Sequence, residues 1–420
     1  MSKKLVIALV ATVLLVSSAG CKDLIGKIMP TPEPVVLRFL FPQQSKEARY
    51  LQAAEAFHAK YPYITVQVER NGNIPRAINT GGVDVVEAEQ FDYPVLLQRE
   101  AIRELSTFLD INKDFPVDDF YPKLWEVYRE QDRTWGIPAN ADPMVLFYNK
   151  DHLDRAQAAY PQAGWDWNDF LITAQKLSLD PLVGQKAFLP DPYGIGMWAF
   201  IYQGGGQLVD DLEKPTRAML DDEQVIRAVE WYVALANEHR VMPVITYSSG
   251  DTWNTVMNSV RWGQAGMWML LLSERGGQNQ REPWDYEWGV APLPQDEARV
   301  TFMISSAYFM TADTAHPQES WLWLNYLATK ADLDWDVPPR RSVAEDENYR
   351  KWVGEEMYAV IQETGEYGMT LPAAAWLTQV PLQSVGLIDA IMTGRKTAEE
   401  GLEEMQAQWD AAIQSLNSDE

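Results

Sequence analysis

Cysteine is almost absent from this sequence: the 420 residues contain one, Cys21. A lone cysteine cannot close an internal disulfide, and no Cys-x-x-Cys pair or Cys/His cluster offers a thiolate metal site. We therefore expect neither a disulfide-stabilised fold nor a bound metal ion.

Signatures of catalysis are missing as well. The chain has no GxSxG, HExxH or Walker phosphate loop, and its four histidines are widely separated. Residues 194–199 (GIGMWA) fit a GxGxxG/A pattern. A dinucleotide site requires a strand directly before this pattern, but Pro192 precedes it and no clear strand does, so we expect no such site. Acidic pairs such as Glu87/Glu89 could serve a glycosidase. Among 60 acidic residues, such pairs more often form a solvated face, and we expect no enzyme and no cofactor.

Positive charge is scarce: 35 Lys and Arg face 60 Asp and Glu, for a net charge of −25. An acidic surface repels phosphate backbones and anionic lipid headgroups. We expect no nucleic-acid partner and no membrane contact beyond a lipid anchor.

The N-terminus has the order of a secretory leader. Lys3 and Lys4 precede the apolar run 5–16, which is too short to span a bilayer, and small residues follow at 17–20. Cys21 directly after Ala19-Gly20 resembles a bacterial lipobox, although Ser18 stands where a leucine is usual. We predict a signal peptide over 1–20, a lipid on Cys21 and a proline-containing tether over 21–34. A plain signal peptide with an incidental thiol is the alternative.

Beyond the tether, strand and helix patterns alternate. Residues 35–41 (VVLRFLF) predict a strand, 46–60 a helix, 64–68 a second strand, 83–86 a third and 93–103 a helix. Later segments are mainly helical, at 167–177, 224–238, 319–330 and 397–416. This alternation predicts an α/β fold with ligands bound beyond the carboxyl ends of the strands.

Tryptophan is abundant, with 17 residues. Sugars present apolar C–H faces and a rim of hydroxyls, so flat rings combined with carboxylates and amides suit them.

Eight sequence blocks resemble those of one family, in that family's order. They are 56–66 (AFHAKYPYITV), 83–86 (VDVV), 136–139 with 146–151 (GIPA, LFYNKD), 164–167 (GWDW), 203–206 (QGGG), 262–267 (WGQAGM), 288–294 (WGVAPLP) and 393–402 (TGRKTAEEGL). The chain resembles the extracellular solute-binding proteins of ABC importers, in the carbohydrate group that includes maltose-binding protein.

The resemblance implies a type II periplasmic-binding-protein fold, in which two lobes, each a sheet wrapped by helices, are joined by hinge strands. It implies an N-terminal lobe of residues 35–141 and 295–345 and a C-terminal lobe of 142–294 and 346–420. Hinges are expected near 140–143 and near Pro294.

It also implies ligand-binding residues in the cleft. These are Gln43, Gln44, Glu89, Gln90, Asp92, Asp142, Trp198, Trp268, Ser305, Arg340 and Trp376. Phe91, Ser306 and the segment 271–275 are further candidates. Trp165, Trp167, Trp321 and Trp323 are expected to be structural.

The implied function is that of a monomeric, lipid-anchored receptor outside the cytoplasm, which binds a sugar and delivers it to an ABC permease. Maltose-binding protein has a tryptophan near the position of Glu89 and this chain has none, which argues against maltodextrin itself. A receptor of the same fold for a polyamine or another small solute is one alternative, and a secreted glycosidase is another.

Overall fold

The computed structural model describes residues 33–277, 283–329, 337–371, 376–377, 380 and 384–418. The predicted leader, Cys21 and most of the tether lie outside these ranges. Within them, no helix combines the length and the apolar character needed to cross a membrane.

Strands and helices alternate through the described chain. The strands are β1 (Val35–Phe41), β2 (Ile64–Arg70), β3 (Val85–Glu89), β4 (Arg129–Glu130), β5 (Arg133–Thr134), β6 (Gly136–Asn149), β7 (Phe188–Leu189), β8 (Met267–Leu271), β9 (Trp288–Ala291), β10 (Phe302–Met310) and β11 (Met369–Thr370). The helices are α1 (Glu47–Lys60), α2 (Ile74–Ile78), α3 (Tyr93–Gln98), α4 (Ser106–Ile111), α5 (Pro122–Glu126), α6 (Lys150–Ala156), α7 (Trp167–Ser178), α8 (Gly196–Gln203), α9 (Glu223–Asn237), α10 (Thr252–Arg261), α11 (Pro317–Thr329), α12 (Arg341–Ala344), α13 (Glu347–Val353), α14 (Glu355–Tyr367), α15 (Val385–Met392) and α16 (Ala398–Ser418).

The first lobe is built on β1, β2, β3 and β10. β1 pairs in parallel with β2 and β3, and β10 runs antiparallel to β3. Apolar side chains cover both faces: Phe39 and Phe57 pack with Trp323 of α11 on one face, while Val86 and Phe309 pack on the other. Burying both faces explains why β1 reads as a nearly continuous apolar run.

Strand β6 joins the two lobes. Its first part, through Pro143, pairs with β10, and its second part, from Met144, pairs with β8 and β9. All fourteen of its residues are buried. The segment 140–143, where we expected a hinge, is therefore the point at which β6 changes partners, and Pro294 lies in the connection between β9 and β10.

The second lobe is built on the rest of β6 with β7, β8 and β9. Alternate residues of β6 point to opposite faces: Leu146 joins a core with α7, α8, α9 and α16, whereas Phe147 joins a core with α10 and α14. Helices thus cover both faces of this half of the sheet.

Most predicted elements lie where the patterns placed them, but the helix expected over 93–103 ends at Gln98. Glu100 has a left-handed backbone, with φ at 51°, and the N–H of Ala101 turns back to the carbonyl of Leu96. Ile102 then bridges to Thr311 beside β10. The apolar spacing continues through this turn, which is why the pattern overstated the helix.

Candidate functional site

The carboxyl ends of strands from both lobes point toward each other. β3 is antiparallel to β10, and β10 is antiparallel to β6, so β1 and β3 run in the same direction as β6, toward the second lobe. β8 is antiparallel to β6 and returns toward the first lobe. Residues that follow β1, β3 and β8 therefore converge on one cleft beside the crossing strands.

Gln43, Glu89 and Asp92 form the wall of this cleft on the first lobe. The amide of Gln43 hydrogen-bonds the carboxylate of Glu89. Glu89 keeps contact with solvent, yet burial by surrounding protein raises its pKa, and the negative charges of Asp92 and Glu87 raise it further. Burial also raises the pKa of Asp92. A side chain that is open to water on one side and enclosed on the others is what a cleft wall produces.

A buried polar network supports this wall from below. The ammonium of Lys46 lies 2.7 Å from Glu87, and Tyr50 donates to the other carboxylate oxygen at 2.6 Å. The hydroxyl of Ser306 donates to Glu87 at 2.7 Å, and its backbone N–H donates to the side-chain oxygen of Asn140 at 2.8 Å. Burial acts to raise the pKa of Glu87, but these partners hold it below its ordinary value. The network fixes β3 against β10 and β6 under the cleft.

Gln90 and Ser305 form a second buried set. The Oε1 of Gln90 accepts from the N–H of Ser305 at 2.9 Å, its Nε2 donates to the carbonyl of Leu371 at 3.1 Å, and Tyr128 bonds the Ser305 hydroxyl at 2.7 Å. Because Gln90 is 0% and Ser305 2% exposed, they brace the cleft from within the protein.

Asp142 lies on the crossing strand β6 and is tied to the loop that follows β8. Its Oδ1 accepts a hydrogen bond from the backbone N–H of Ser273 at 2.9 Å. The same loop carries Glu274 and Arg275, both buried. The Arg275 guanidinium lies 5.4 Å from the ring centre of Trp352.

The loop 191–196 of the second lobe is organised around one carboxylate. Asp191 is fully buried and accepts from the backbone N–H groups of Tyr193, Ile195 and Gly196 at 3.0, 3.1 and 2.7 Å. Burial raises the pKa of Asp191 to about 6, against the lowering effect of these donors. A Cβ on Gly196 would collide with Met269 and Asp191, so only glycine lets α8 begin this close to β8.

This loop presents Tyr193 to the cleft. The residue is 44% exposed, and its ring lies 5.4 Å from that of Trp253, at an interplanar angle of 57°. Burial raises the pKa of the Tyr193 hydroxyl, and four carboxylates raise it further: Glu274, Asp142, Asp191 and Glu89. Because Glu89 belongs to the first lobe and Tyr193 to the second, the hydroxyl lies within the electrostatic reach of both walls.

The predicted tryptophans are more deeply buried than the acids. Trp198 is in the first turn of α8 and 8% exposed. Trp268 is 0% exposed and packs against Phe147 and Trp284 with ring centres 6.1 and 5.1 Å apart. The alternation of β8 directs Met269 toward α8 and the loop 191–196, and it directs Trp268 to the opposite face. Trp268 is therefore a core side chain here, rather than an exposed platform.

The remaining predicted residues lie outside this group. Trp376 is 3% exposed, and its indole N–H donates to the carbonyl of Leu212 at 2.8 Å. Arg340 lies 3.4 Å from the carboxylate of Asp119. Gln44 is exposed at the start of a 3₁₀ turn that also contains Lys46. Their contact with a ligand stays a prediction.

Tyr193 and Trp253 were missed by sequence reasoning, because the loop 191–196 follows neither the helical nor the strand period. A signal is present in hindsight: an aspartate followed by glycines three and five residues later is typical of a turn closed by a carboxylate. In the described part of the chain, no three or more His, Cys, Asp or Glu side chains are grouped to hold a metal ion.

Comparison with known families agrees with this geometry. The profile described as bacterial extracellular solute-binding protein matches residues 42–333, which span both walls of the cleft and β6. The chain belongs to this family. Extracellular solute-binding proteins act outside the cytoplasm, and that location applies to this chain.

Similar sequences come from distant organisms. An uncharacterised lipoprotein of Streptomyces antibioticus is 24% identical over 369 residues, which cover 81% of this chain and 77% of the relative. An uncharacterised ABC transporter extracellular-binding protein of Pyrococcus horikoshii is 22% identical over 397 residues, which cover 82% of each chain.

Solved structures of solute-binding proteins share the fold. An ABC substrate-binding protein of Listeria monocytogenes, in complex with cycloalternan, has a TM-score of 0.77 at 15% identity, covering 91% of this chain and 99% of that one. The sugar-binding protein MalE of Xanthomonas citri has a TM-score of 0.75 at 17% identity, covering 91% and 98%. The predicted type II periplasmic-binding-protein fold is confirmed.

Proposed function

We propose that this solute-binding protein is a lipid-anchored receptor that binds a sugar or oligosaccharide between its two lobes and passes it, unaltered, to an ABC permease. The observation that carries the proposal is the position of Tyr193. Tyr193 lies on the second lobe and is 44% exposed, and the charges of Glu89 on the first lobe and of Asp142 on the crossing strand raise the pKa of its hydroxyl.

The chemistry of these groups suits a carbohydrate. Tyr193 and Trp253 offer ring surface for the apolar face of a sugar, while Glu89, Asp92 and Gln43 offer acceptors and an amide for its hydroxyls. Each hydrogen bond to a charged acceptor contributes about 1.5–3 kcal/mol. The complex of the Listeria protein with cycloalternan and the sugar-binding role of the Xanthomonas protein support this choice of ligand class.

We assign 35–141 and 295–345 to one lobe and 142–294 and 346–420 to the other, with hinges at 140–143 and near Pro294. A sugar that touches both walls contacts more protein when the lobes are closed. Its differential affinity for the closed state then shifts the population toward closure.

We infer a lipid anchor on Cys21 from the predicted signal peptide that precedes it. A diacylated Cys21 would confine a monomeric receptor close to its permease and raise the effective concentration at which the two meet. The relative in Streptomyces antibioticus, which is described as a lipoprotein, supports this assignment.

Of the predicted site residues, we assign direct contact with the sugar to Gln43, Glu89, Asp92 and Asp142, together with Tyr193. Gln90 and Ser305 are assigned to the support beneath them. No covalent step is required for capture and release, so the proposed role includes no catalysis.

A thermal-shift screen of the purified protein against neutral sugars, basic sugars, polyamines and amino acids tests the proposal. A ligand of the native state raises the melting temperature by mass action, and mass spectrometry of the bound ligand checks that it is unchanged. A shift with sugars and recovery of the intact sugar are expected. A response to polyamines or amino acids alone would replace the sugar assignment, and release of new reducing ends would favour a glycosidase.

A further inference from the structure

Asn71 and Gly72 form the only Asn-Gly pair in the sequence. The pair directly follows β2, in the bend that leads to α2. Because β2 is parallel to β1, this bend lies at the carboxyl end of the first sheet. In such a pair, the backbone nitrogen of the glycine can reach the side-chain carbonyl carbon of the asparagine, and glycine offers no side chain to obstruct it.

The backbone nitrogen of Gly72 is open to reaction. Gly72 is exposed, and a Cβ added to it would meet no heavy atom within 4 Å. Among the described residues, no carbonyl or side chain accepts a hydrogen bond from the Gly72 N–H. No neighbouring group crowds this nitrogen and no protein acceptor holds its proton, so it is free to act as a nucleophile.

The side-chain carbonyl of Asn71 is polarised by the backbone. Its Oδ1 accepts a hydrogen bond from the N–H of Asn73 at 2.9 Å. When a nucleophile adds to Cγ of Asn71, negative charge develops on this oxygen, and a donor already in place stabilises it. The main chain of Asn71 is also fixed, because its N–H donates to the carbonyl of Phe41 at 2.9 Å. The fold thus holds and activates the carbonyl while it leaves the neighbouring nitrogen free.

We propose that Asn71 is a site of spontaneous modification, at which the folded protein converts the side-chain amide to a carboxylate. The nitrogen of Gly72 bonds to Cγ of Asn71, the bond from Cγ to the amide nitrogen breaks, and that nitrogen leaves as ammonia with the proton of Gly72. Water then adds to either carbonyl of the five-membered imide and yields aspartate or isoaspartate. Ring closure joins neighbouring groups of one chain, which favours it over any reaction between separate molecules.

The products change the charge and the main chain at this bend. Either product adds one negative charge next to Arg70. Isoaspartate also carries the main chain through the former side chain, which inserts one carbon before Gly72. The inserted carbon precedes Asn73, whose side chain accepts from the N–H of Arg76 at 3.0 Å at the start of α2. No sugar takes part in this reaction, which is therefore independent of the proposed function.

The test follows residue 71 by peptide mass spectrometry in the full-length protein, kept in detergent micelles at mildly alkaline pH. Electron-transfer fragmentation distinguishes isoaspartate from aspartate, and the same chain unfolded in urea supplies the reference rate. We expect Asn71 to convert before any other asparagine, and at least as fast in the folded protein as in the unfolded chain.

Two glycine variants serve as a matched pair. Gly72→Ala should slow the conversion about tenfold or more, because its methyl group crowds the attacking nitrogen. The fold should tolerate this change, since the site is open. Gly386→Ala, where an added Cβ also meets nothing within 4 Å, should leave the rate unchanged.

Each outcome bears on the proposal. Slower conversion in the folded protein than in the unfolded chain would mean that the fold protects Asn71, and would overturn the proposal. Earlier conversion of another asparagine, or an unchanged rate in Gly72→Ala, would overturn the assignment to this pair. An equal loss of rate in Gly386→Ala would contradict crowding at Gly72 as the cause.

Discussion

The carboxylate of Asp142 accepts a hydrogen bond at 2.9 Å from the backbone N–H of Ser273, although 131 residues separate the two. The bond links the middle of β6, where that strand passes from one lobe to the other, to the loop that ends β8. Both groups are buried, so losing either partner leaves the other without its hydrogen bond in a dry environment.

Replacement of Asp142 therefore tests this link. Asp142→Ala should weaken sugar binding about tenfold or more, because it removes a carboxylate assigned to the sugar and leaves the buried N–H of Ser273 unsatisfied, at a cost of about 1–3 kcal/mol. Asp142→Asn keeps an acceptor and should retain more of the affinity. Titration calorimetry of both variants gives the comparison, and an Ala variant that binds as tightly as the Asn variant would argue against the link.

The buried ion pair beneath the cleft predicts a large stability effect. Lys46→Met leaves the Glu87 carboxylate buried without its cation and should lower the free energy of unfolding by about 3–5 kcal/mol. Lys113→Met is the matched control, because the Lys113–Asp110 pair is exposed, at 76% and 77%, and should change it by less than about 1 kcal/mol. Urea unfolding measures both, and similar losses would contradict the network.

Asp191 predicts a specific dependence on pH. Burial raises its pKa to about 6 in the folded protein, compared with about 4 in an unfolded chain. The folded state binds this proton more tightly, so the contribution of Asp191 to stability falls as the pH rises from about 4 to about 6, by about 3 kcal/mol.

The measurement compares wild type with Asp191→Asn, which does not titrate, by urea unfolding at several pH values. Other carboxylates titrate alike in both proteins, so their effects cancel in the difference between the two unfolding free energies. This difference, wild type minus variant, should therefore report Asp191 alone and decrease from pH 4 to pH 7. A difference that increases over this range would mean that the backbone donors outweigh burial and hold the carboxylate ionised.

Gly196 predicts a steric effect at the start of α8. Gly196→Ala places a Cβ against Met269 and Asp191, and such overpacking should cost about 1–3 kcal/mol of stability while displacing Tyr193. Gly386→Ala is the matched control, since nothing lies within 4 Å of its added Cβ. Thermal melts and sugar affinity report both effects, and an unchanged Gly196→Ala protein would refute this close approach.

Replacement of Tyr193 should lower the affinity for the sugar without unfolding the protein. Tyr193→Ala removes the exposed ring and should weaken sugar affinity about tenfold, whereas Tyr193→Phe keeps the stacking surface and should retain most of it. Trp262→Ala serves as a control for removing an aromatic ring, because Trp262 is 66% exposed and follows α10, outside the cleft. Equal losses in the Tyr193→Ala and Trp262→Ala proteins would argue against a role in the site.

Local sequence patterns were sufficient to predict most strands and helices. The run 35–41 became β1 with the predicted bounds, and the helices expected near 46–60 and 224–238 differ by one residue at their ends. These elements are set by their own apolar spacing and by burial on sheet faces. The helix at 93–103 was overestimated because its end depends on the left-handed backbone of Glu100, which apolar spacing does not report.

The site was predicted less completely, for a physical reason. Glu89 is the last residue of β3 and Asp92 lies three residues later; the family resemblance suggested both as ligand contacts, and that role stays a prediction. Trp268 lies in β8, where four of five residues are buried, so no polar alternation showed which face it takes. The position of Tyr193 depends on a loop that Asp191 holds through hydrogen bonds from several backbone N–H groups. Neither helical nor strand spacing in the sequence reports these bonds.

The central claim, that a sugar closes the two lobes around the cleft, is tested most directly by the distance between them. Since Cys21 is the only cysteine, Cys21→Ser provides a background in which spin labels at Glu55→Cys on α1 and Gln175→Cys on α7 report across the cleft. Gln175→Cys with Glu403→Cys on α16 reports within one lobe. Pulsed electron resonance measures both distances before and after addition of the sugar selected by the thermal screen. The distance distribution across the cleft should shift and become narrower, and the distribution within one lobe should stay unchanged. A distribution across the cleft that stays the same with the sugar bound would contradict the account.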